Sequence, residues 1–170
     1  MNKDRYFENY PFCIVFSSIL VSAAIYLIGA VIIYMTGLAW LILYLIFLGI
    51  LEFRLMKGHC VKCYYFGKTC AFGRGKLSSI FFKKGNSNEF NKMNMTWKSI
   101  LPDFLVSLIP LVTGIVLLIE DFDWILLSMV VLLIILTFAG NAFVRSQRAC
   151  KYCKQRQRGC PAQKLFDKRK

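Results

Sequence analysis

Acidic side chains are scarce in this 170-residue chain, where nine Asp and Glu stand against 22 Lys and Arg for a formal net charge of +13. Histidine is nearly missing, with His59 alone. Charge of either sign is absent from Pro11 to Leu51. Each absence excludes something. A single histidine leaves no pair to ligate a haem and no base to spare for a nucleophilic triad. The sequence therefore argues for a non-enzymatic protein. With no carboxylate near the middle of an apolar stretch, a carboxylate-driven transporter is disfavoured. No histidine lies in those stretches, which weakens quinone chemistry as well. The uncharged run, with a mean hydropathy of +0.53 over the chain, excludes an ordinary soluble domain.

What is present is apolar sequence in four blocks. A membrane span takes about 20 apolar residues, so the first uncharged run holds two spans. They are expected near Phe12–Tyr34 and Leu38–Phe53, turning at Met35, Thr36 and Gly37. Two more are expected at Phe104–Ile119 and Trp124–Val144, separated by Glu120, Asp121 and Asp123. A secretory signal has an apolar core of about 7–15 residues, and the N-terminal run is too long for one.

The loops set an orientation. Residues 57–98 carry nine Lys or Arg against Glu89 alone, and residues 145–170 carry ten against Asp167 alone. Neither hairpin turn holds a basic residue. Basic loops stay in the cytoplasm, so the expectation is a multi-pass cell-membrane protein with both termini and both basic segments cytoplasmic. The charge is mainly this topology signal. Its remaining use is a basic face for anionic lipid headgroups or a protein partner; a homodimer is open, and nucleic acid is not expected.

One cysteine spacing occurs twice in those basic segments. Cys60, Cys63 and Cys70 follow C-x2-C-x6-C, and Cys150, Cys153 and Cys160 repeat it ninety residues later. Pro11 and Pro102 precede the first and third apolar blocks, and Phe53 and Phe143 each stand seven residues before their triplet. The expected fold is thus an all-α integral membrane protein of four helices, arranged as two tandem parallel hairpin repeats, each followed by a cytoplasmic cysteine triplet. Repeat 1 is 1–84, a polar linker is 85–99 and repeat 2 is 100–170. Parallel repeats relate by an axis along the membrane normal, which would set the two triplets face to face.

Reduced cytoplasmic thiols in fixed spacing suggest metal ligation before disulfides. Tetrahedral zinc takes four ligands, so one triplet falls one short, whereas six thiolates hold two metals if two sulfurs bridge. The spacing resembles the fungal binuclear six-cysteine zinc cluster, in which C-x2-C-x6-C occurs twice around a pseudo-twofold axis with a short basic helix behind each C-x-x-C. Residues Cys150–Pro161 (CKYCKQRQRGCP) look like such a half, with Lys154–Arg158 on the helix; in Cys60–Phe72 (CVKCYYFGKTCAF), Tyr64, Tyr65 and Phe66 replace the basic residues. The resemblance implies two zinc ions on Cys60, Cys63, Cys70, Cys150, Cys153 and Cys160. It does not extend to DNA binding, because two apolar spans separate these halves. His59 as a fourth ligand to the first triplet, an iron–sulfur cluster passing electrons, soft-metal handling and redox-active C-x-x-C dithiols are the alternatives. A structural cluster would clamp two hairpins that lipid alone does not drive together.

Other residues read plainly. Cys13 is expected to be a small buried hydrophobe, and Asp103 an acid at the start of its helix. Glu52 and Arg54 are expected where the second span leaves the membrane. Tyr26, Tyr34, Trp40 and Trp124 suggest an aromatic belt near the outer turns, and Trp97 one at the inner interface. Phe72–Ser79 (FGRGKLSS) lacks the phosphate-loop pattern and reads as a basic loop. Leu77–Phe82 with Lys83 and Lys84 suggests a short amphipathic anchor.

Overall fold

Pro11 stands in extended conformation directly before the first helix, α1 (Phe12–Tyr34). A proline there gives up no helical hydrogen bond, because helix-leading N–H groups have no carbonyl to reach. The helix stops where Thr36 Oγ1 and the N–H groups of Thr36 and Gly37 turn back onto Ile33 and Tyr34. Gly37, at φ 132°, then redirects the chain into α2 (Leu38–Gly58). After a 3-10 turn at Cys60–Lys62 comes a short helix, α3 (Arg74–Phe81). Two further long elements follow: α4 (Trp97–Glu120), and α5 (Trp124–Ile135) prolonged by a π segment at Leu136–Gly140, α6 (Asn141–Phe143) and a second π segment at Val144–Ala149. A final turn, α7, covers Lys154–Gln157. This computed structural model describes residues 6–86, 90, 97–157 and 160.

Four of these helices are long and apolar enough to cross a membrane. Their surfaces agree with that reading: Leu27, Trp40, Ile50 and Ile119 are all well exposed, the last at 79%, as lipid-facing side chains must be. The second and third helices outrun the apolar blocks that signalled them. Hydropathy ends at the first charges, but backbone bonding continues through Glu52, Arg54 and Lys57 to Gly58. Likewise α4 starts at Trp97, so Pro102 lies inside the helix and Asp103 is not in its first turn. Cys13 is exposed rather than buried. Most of the 85–99 linker lies outside the described residues.

Helix α1 is central, touching α2, α4 and α5. One seam joins Ile25 and Ile32 to Leu126, Val130 and Leu133 of α5. The other joins Ile33 to Tyr44, Leu48 and Leu51 of α2 and Val106 of α4. Lipid offers no hydrophobic reason for helices to associate, so close packing and polar contacts must supply it. The second seam does so through a proline. Pro110 lies inside α4 and is fully buried. It has no N–H, which leaves the Val106 carbonyl four residues earlier without its helical donor. The Tyr44 hydroxyl crosses from α2 and donates to that carbonyl at 2.9 Å. Gly29 makes this approach possible, because a Cβ there would stand 2.6 Å from the Tyr44 hydroxyl and 3.2 Å from Pro110.

Tyr44→Phe should lower stability in detergent by about 1 kcal/mol, in the range of interhelical hydrogen bonds in lipid. Gly29→Leu should cost more, since it displaces two helices. Thermal melts of the two variants check the order; a neutral Gly29→Leu would refute the close approach.

Candidate functional site

Above the spans the two cysteine segments form one layer, and the local sequence explains their shape. In the first, the Cys63 N–H donates to the Cys60 carbonyl at 3.2 Å and the Phe66 N–H to the Cys63 carbonyl at 3.1 Å. In the second, Cys153 bonds Cys150 at 3.4 Å and Arg156 bonds Cys153 at 3.1 Å. The same pair of bonds thus recurs at the same place in each C-x-x-C. The return from Cys70 needs glycine. Gly73 has a left-handed φ of 72°, and a Cβ on Gly75 would lie 2.4 Å from both the Lys68 and Tyr65 carbonyls.

The segments hold each other reciprocally. The Tyr64 N–H donates to Gln155 Oε1 at 2.8 Å, and the Lys154 N–H donates to the Tyr65 hydroxyl at 3.0 Å. Each bond runs from the residue after the second cysteine of one triplet to the side chain two residues after that cysteine in the other. Tyr64 and Tyr65, which stand where the second segment has Lys154 and Gln155, therefore provide its counter-surface.

An element that the sequence did not flag completes the layer. Residues Phe7 to Tyr10 pass between the two segments. The Phe7 N–H donates to the Tyr152 carbonyl at 3.1 Å and the Tyr10 N–H to Thr69 at 3.0 Å. The Tyr65 hydroxyl donates to the Phe7 carbonyl at 2.6 Å, and the Tyr10 hydroxyl to the Ala149 carbonyl at 2.5 Å. Glu8 pairs with Lys154 and, at 4.0 Å, with Lys68, and Lys154 holds its carboxyl below the usual range. Tyr10, Tyr65, Ala71 and Ala149 are buried together, with Phe7, Cys63, Cys70 and Cys153 packed against them. The available signal was aromatic: Phe7 and Tyr10 lie just before Pro11, and Tyr64, Tyr65 and Tyr152 sit among the cysteines.

All seven cysteines are free thiols. Cys63 is the meeting point, within electrostatic reach of Cys153, Cys60 and Cys70. Cys153 in turn lies within reach of Cys160. Burial pushes the Cys63 thiol up to about 12, against the opposing effect of the Tyr65 N–H donated to its sulfur. Cys153 is also raised by burial, opposed by backbone N–H groups of Gln155 and Arg156. Cys70 Sγ accepts the Gly75 N–H at 3.2 Å. These donors aim at sulfur as they would at a thiolate. The donor set suits a soft cation. Among the described residues no three His, Cys, Asp or Glu side chains are close enough to share one metal ion, so a cation would have to draw the thiols inward. His59 has Asp103, Arg54 and Lys62 as its electrostatic neighbours. The short helix after Cys153 is present as α7; Arg158 lies outside the described residues.

The layer is tied to the spans by an ion pair. Arg74, expected in a loop, opens α3 and reaches Glu52 of α2, whose Oε1 also accepts the Tyr26 hydroxyl at 2.6 Å. Tyr26 thus points toward the cysteine layer and does not join the outer belt, while Tyr34, Trp40 and Trp124 are exposed as a belt requires.

No known protein family, curated protein or solved structure matches this chain.

Two variants test the layer. Tyr65→Phe strips the Lys154 N–H of its acceptor and should cost about 1–2 kcal/mol, read as faster maleimide labelling of the buried thiols. Arg74→Met leaves Glu52 with only a tyrosine partner and should cost about 2 kcal/mol. That is less than for a fully buried pair, because the side chains are 24% and 28% exposed. Adding Glu52→Gln should recover more than half of the lost melting temperature.

Proposed function

We propose that the chain is a small multi-pass membrane protein whose two cysteine triplets bind zinc as a structural clamp on the cytoplasmic side. The observation that carries this reading is the reciprocal pairing of Tyr64 with Gln155 and of Lys154 with Tyr65. A two-fold arrangement of tandem repeats requires such an exchange, in which each half donates to the same place on the other. It brings Cys63 and Cys153 into one layer, where thiols of both triplets are within electrostatic reach. Cys60, Cys63, Cys70, Cys150, Cys153 and Cys160 would hold the metal, about two ions per chain. The excess of Lys and Arg in the cysteine segments supports a cytoplasmic placement.

Zinc thiolates would supply cohesion that the bilayer does not; structural zinc contributes roughly 10–16 kcal/mol apparent in small domains. Burial raises the Cys63 and Cys153 thiols, so metal binding would have to displace their protons. These thiols also set the pH behaviour. A thiol held at about 12 by burial in the folded chain, well above its ordinary value, favours the neutral folded form. In metal-free protein this stability is full below about pH 9 and is lost as pH rises through about 12. Metal binding runs the other way: each proton displaced makes affinity rise with pH over the same range.

Metal analysis and an absorption spectrum of anaerobically purified protein test the proposal. Colourless protein with about two zinc per chain is expected, and Cys63→Ser or Cys150→Ser should lower both zinc content and melting temperature. Iron with acid-labile sulfide and a broad band near 400 nm would replace zinc by electron transfer. Metal-free protein whose melt is unmoved by Cys150→Ser would end the clamp reading.

A further inference from the structure

Helix α3 begins alongside the apolar run of α1 and not beyond its end. A Cβ on Gly73, its leading residue, would stand 2.9 Å from Ile19 Cδ1 and 3.7 Å from Val15 Cγ1 of α1. These residues lie roughly 5–10 Å along the helix axis from Phe12, at 1.5 Å per residue. Arg74 reaches farther in, to Glu52, and at the other end Phe82 packs on Phe53 of α2 with ring centroids 5.1 Å apart. Three large apolar side chains of α3 face away from the protein: Leu77 at 44% exposure, Ile80 at 75% and Phe81 at 64%. They continue the outward apolar surface of α2, where Ile50 and Phe53 are exposed.

Along the chain through α3 the charge has one sign. No acidic residue occurs between Glu52 and Glu89, while Lys76, Lys83 and Lys84 lie on or beside α3. Glu52 itself is engaged by Arg74. We propose that α3 is an interfacial helix that binds anionic phospholipid, with Leu77, Ile80 and Phe81 sunk into the acyl boundary and Lys76, Lys83 and Lys84 on the headgroup phosphates. The proposal rests on the membrane reading of the four long helices and is independent of metal at the cysteines. Interfacial helices bury their apolar face about 5–10 Å below the headgroups, which is the depth that the contacts with Val15 and Ile19 give. Lysine stems are long enough to return their charge to the headgroup level.

The test uses the full chain with Phe81→Trp as the sole tryptophan (Trp40, Trp97 and Trp124 replaced by Phe), reconstituted in phosphatidylcholine vesicles containing brominated phosphatidylglycerol or brominated phosphatidylcholine. The expected result is blue-shifted emission, quenched by lipid brominated near the headgroup, with phosphatidylglycerol favoured by fivefold or more at low salt. Lys76→Glu/Lys83→Glu/Lys84→Glu should abolish that preference, since each lysine near such a surface accounts for roughly fivefold. A melt of the triple variant in detergent shows that it folds. Should that variant not fold, the salt dependence of the preference in the parent decides, because headgroup binding must weaken at high salt. Emission typical of water, unquenched by either lipid, overturns the proposal. So does quenching that is equal for the two lipids, which would leave α3 an apolar anchor with no lipid choice.

Discussion

Polar groups in a lipid-facing bundle must find partners within the protein. In this chain tyrosine hydroxyls make several of the bonds that join distant segments, both in the bundle and in the cysteine layer beside it. Tyr44 donates to the carbonyl that Pro110 orphans, Tyr26 to Glu52, Tyr10 to Ala149 and Tyr65 to Phe7. Each joins segments far apart in sequence. A tyrosine suits the task because its ring packs among apolar side chains while its hydroxyl reaches a defined acceptor. Where the bilayer gives helices no reason to associate, such directed bonds choose which faces meet. The Tyr44 bond depends on a missing side chain at Gly29 and a missing N–H at Pro110, so three helices are fixed by one arrangement.

The cysteine layer extends that logic beyond the lipid. Its aromatic centre, Tyr10 with Tyr65 and Phe7, packs against Cys63, Cys70 and Cys153. Thiols there are held neutral by burial while backbone N–H groups point at their sulfurs. That combination is a compromise between two states. The aromatic packing stabilises protonated thiols, and the aligned N–H groups stabilise whatever negative charge forms on sulfur. A soft cation would favour the second state, and the Arg74–Glu52 pair joins the layer to α2.

The sequence made the spans legible because hydropathy is a property of local composition. Phe12–Tyr34 and the Met35–Gly37 turn stand where the apolar run and its glycine put them. The ends of α2 and α4 were not legible from hydropathy, since Glu52, Lys57 and Asp103 remain helical after the apolar run has ended. Pro102 looked like a boundary and proved to be an interior residue. The π segments at Leu136–Gly140 and Val144–Ala149 have no proline to announce them. Tyr26 was misplaced because its hydroxyl reaches along the bundle to a carboxylate that hydropathy assigned to the surface. The Phe7–Tyr10 strap went unseen for the same kind of reason: its partners, Thr69, Tyr152 and Ala149, are distant in the chain, and no local periodicity encodes them.

The two cysteine segments carry different side chains where they touch, and the difference has a physical reason. Two identical basic loops would set like charges against each other where they meet, at a cost that grows as the loops are buried. Tyr64 and Phe66, standing where the second segment has Lys154 and Arg156, remove the charge from one side. Lys68 and Lys154 then lie over the Tyr64 ring, at 4.4 and 5.4 Å from its centre, and Glu8 from the N-terminal strap pairs with both. The exchange through Gln155 and Tyr65 tolerates this difference, because it needs only an acceptor oxygen at each position, and a phenol meets that need as well as an amide. A difference in side-chain charge with the same acceptor geometry is what lets the two cysteine segments pair.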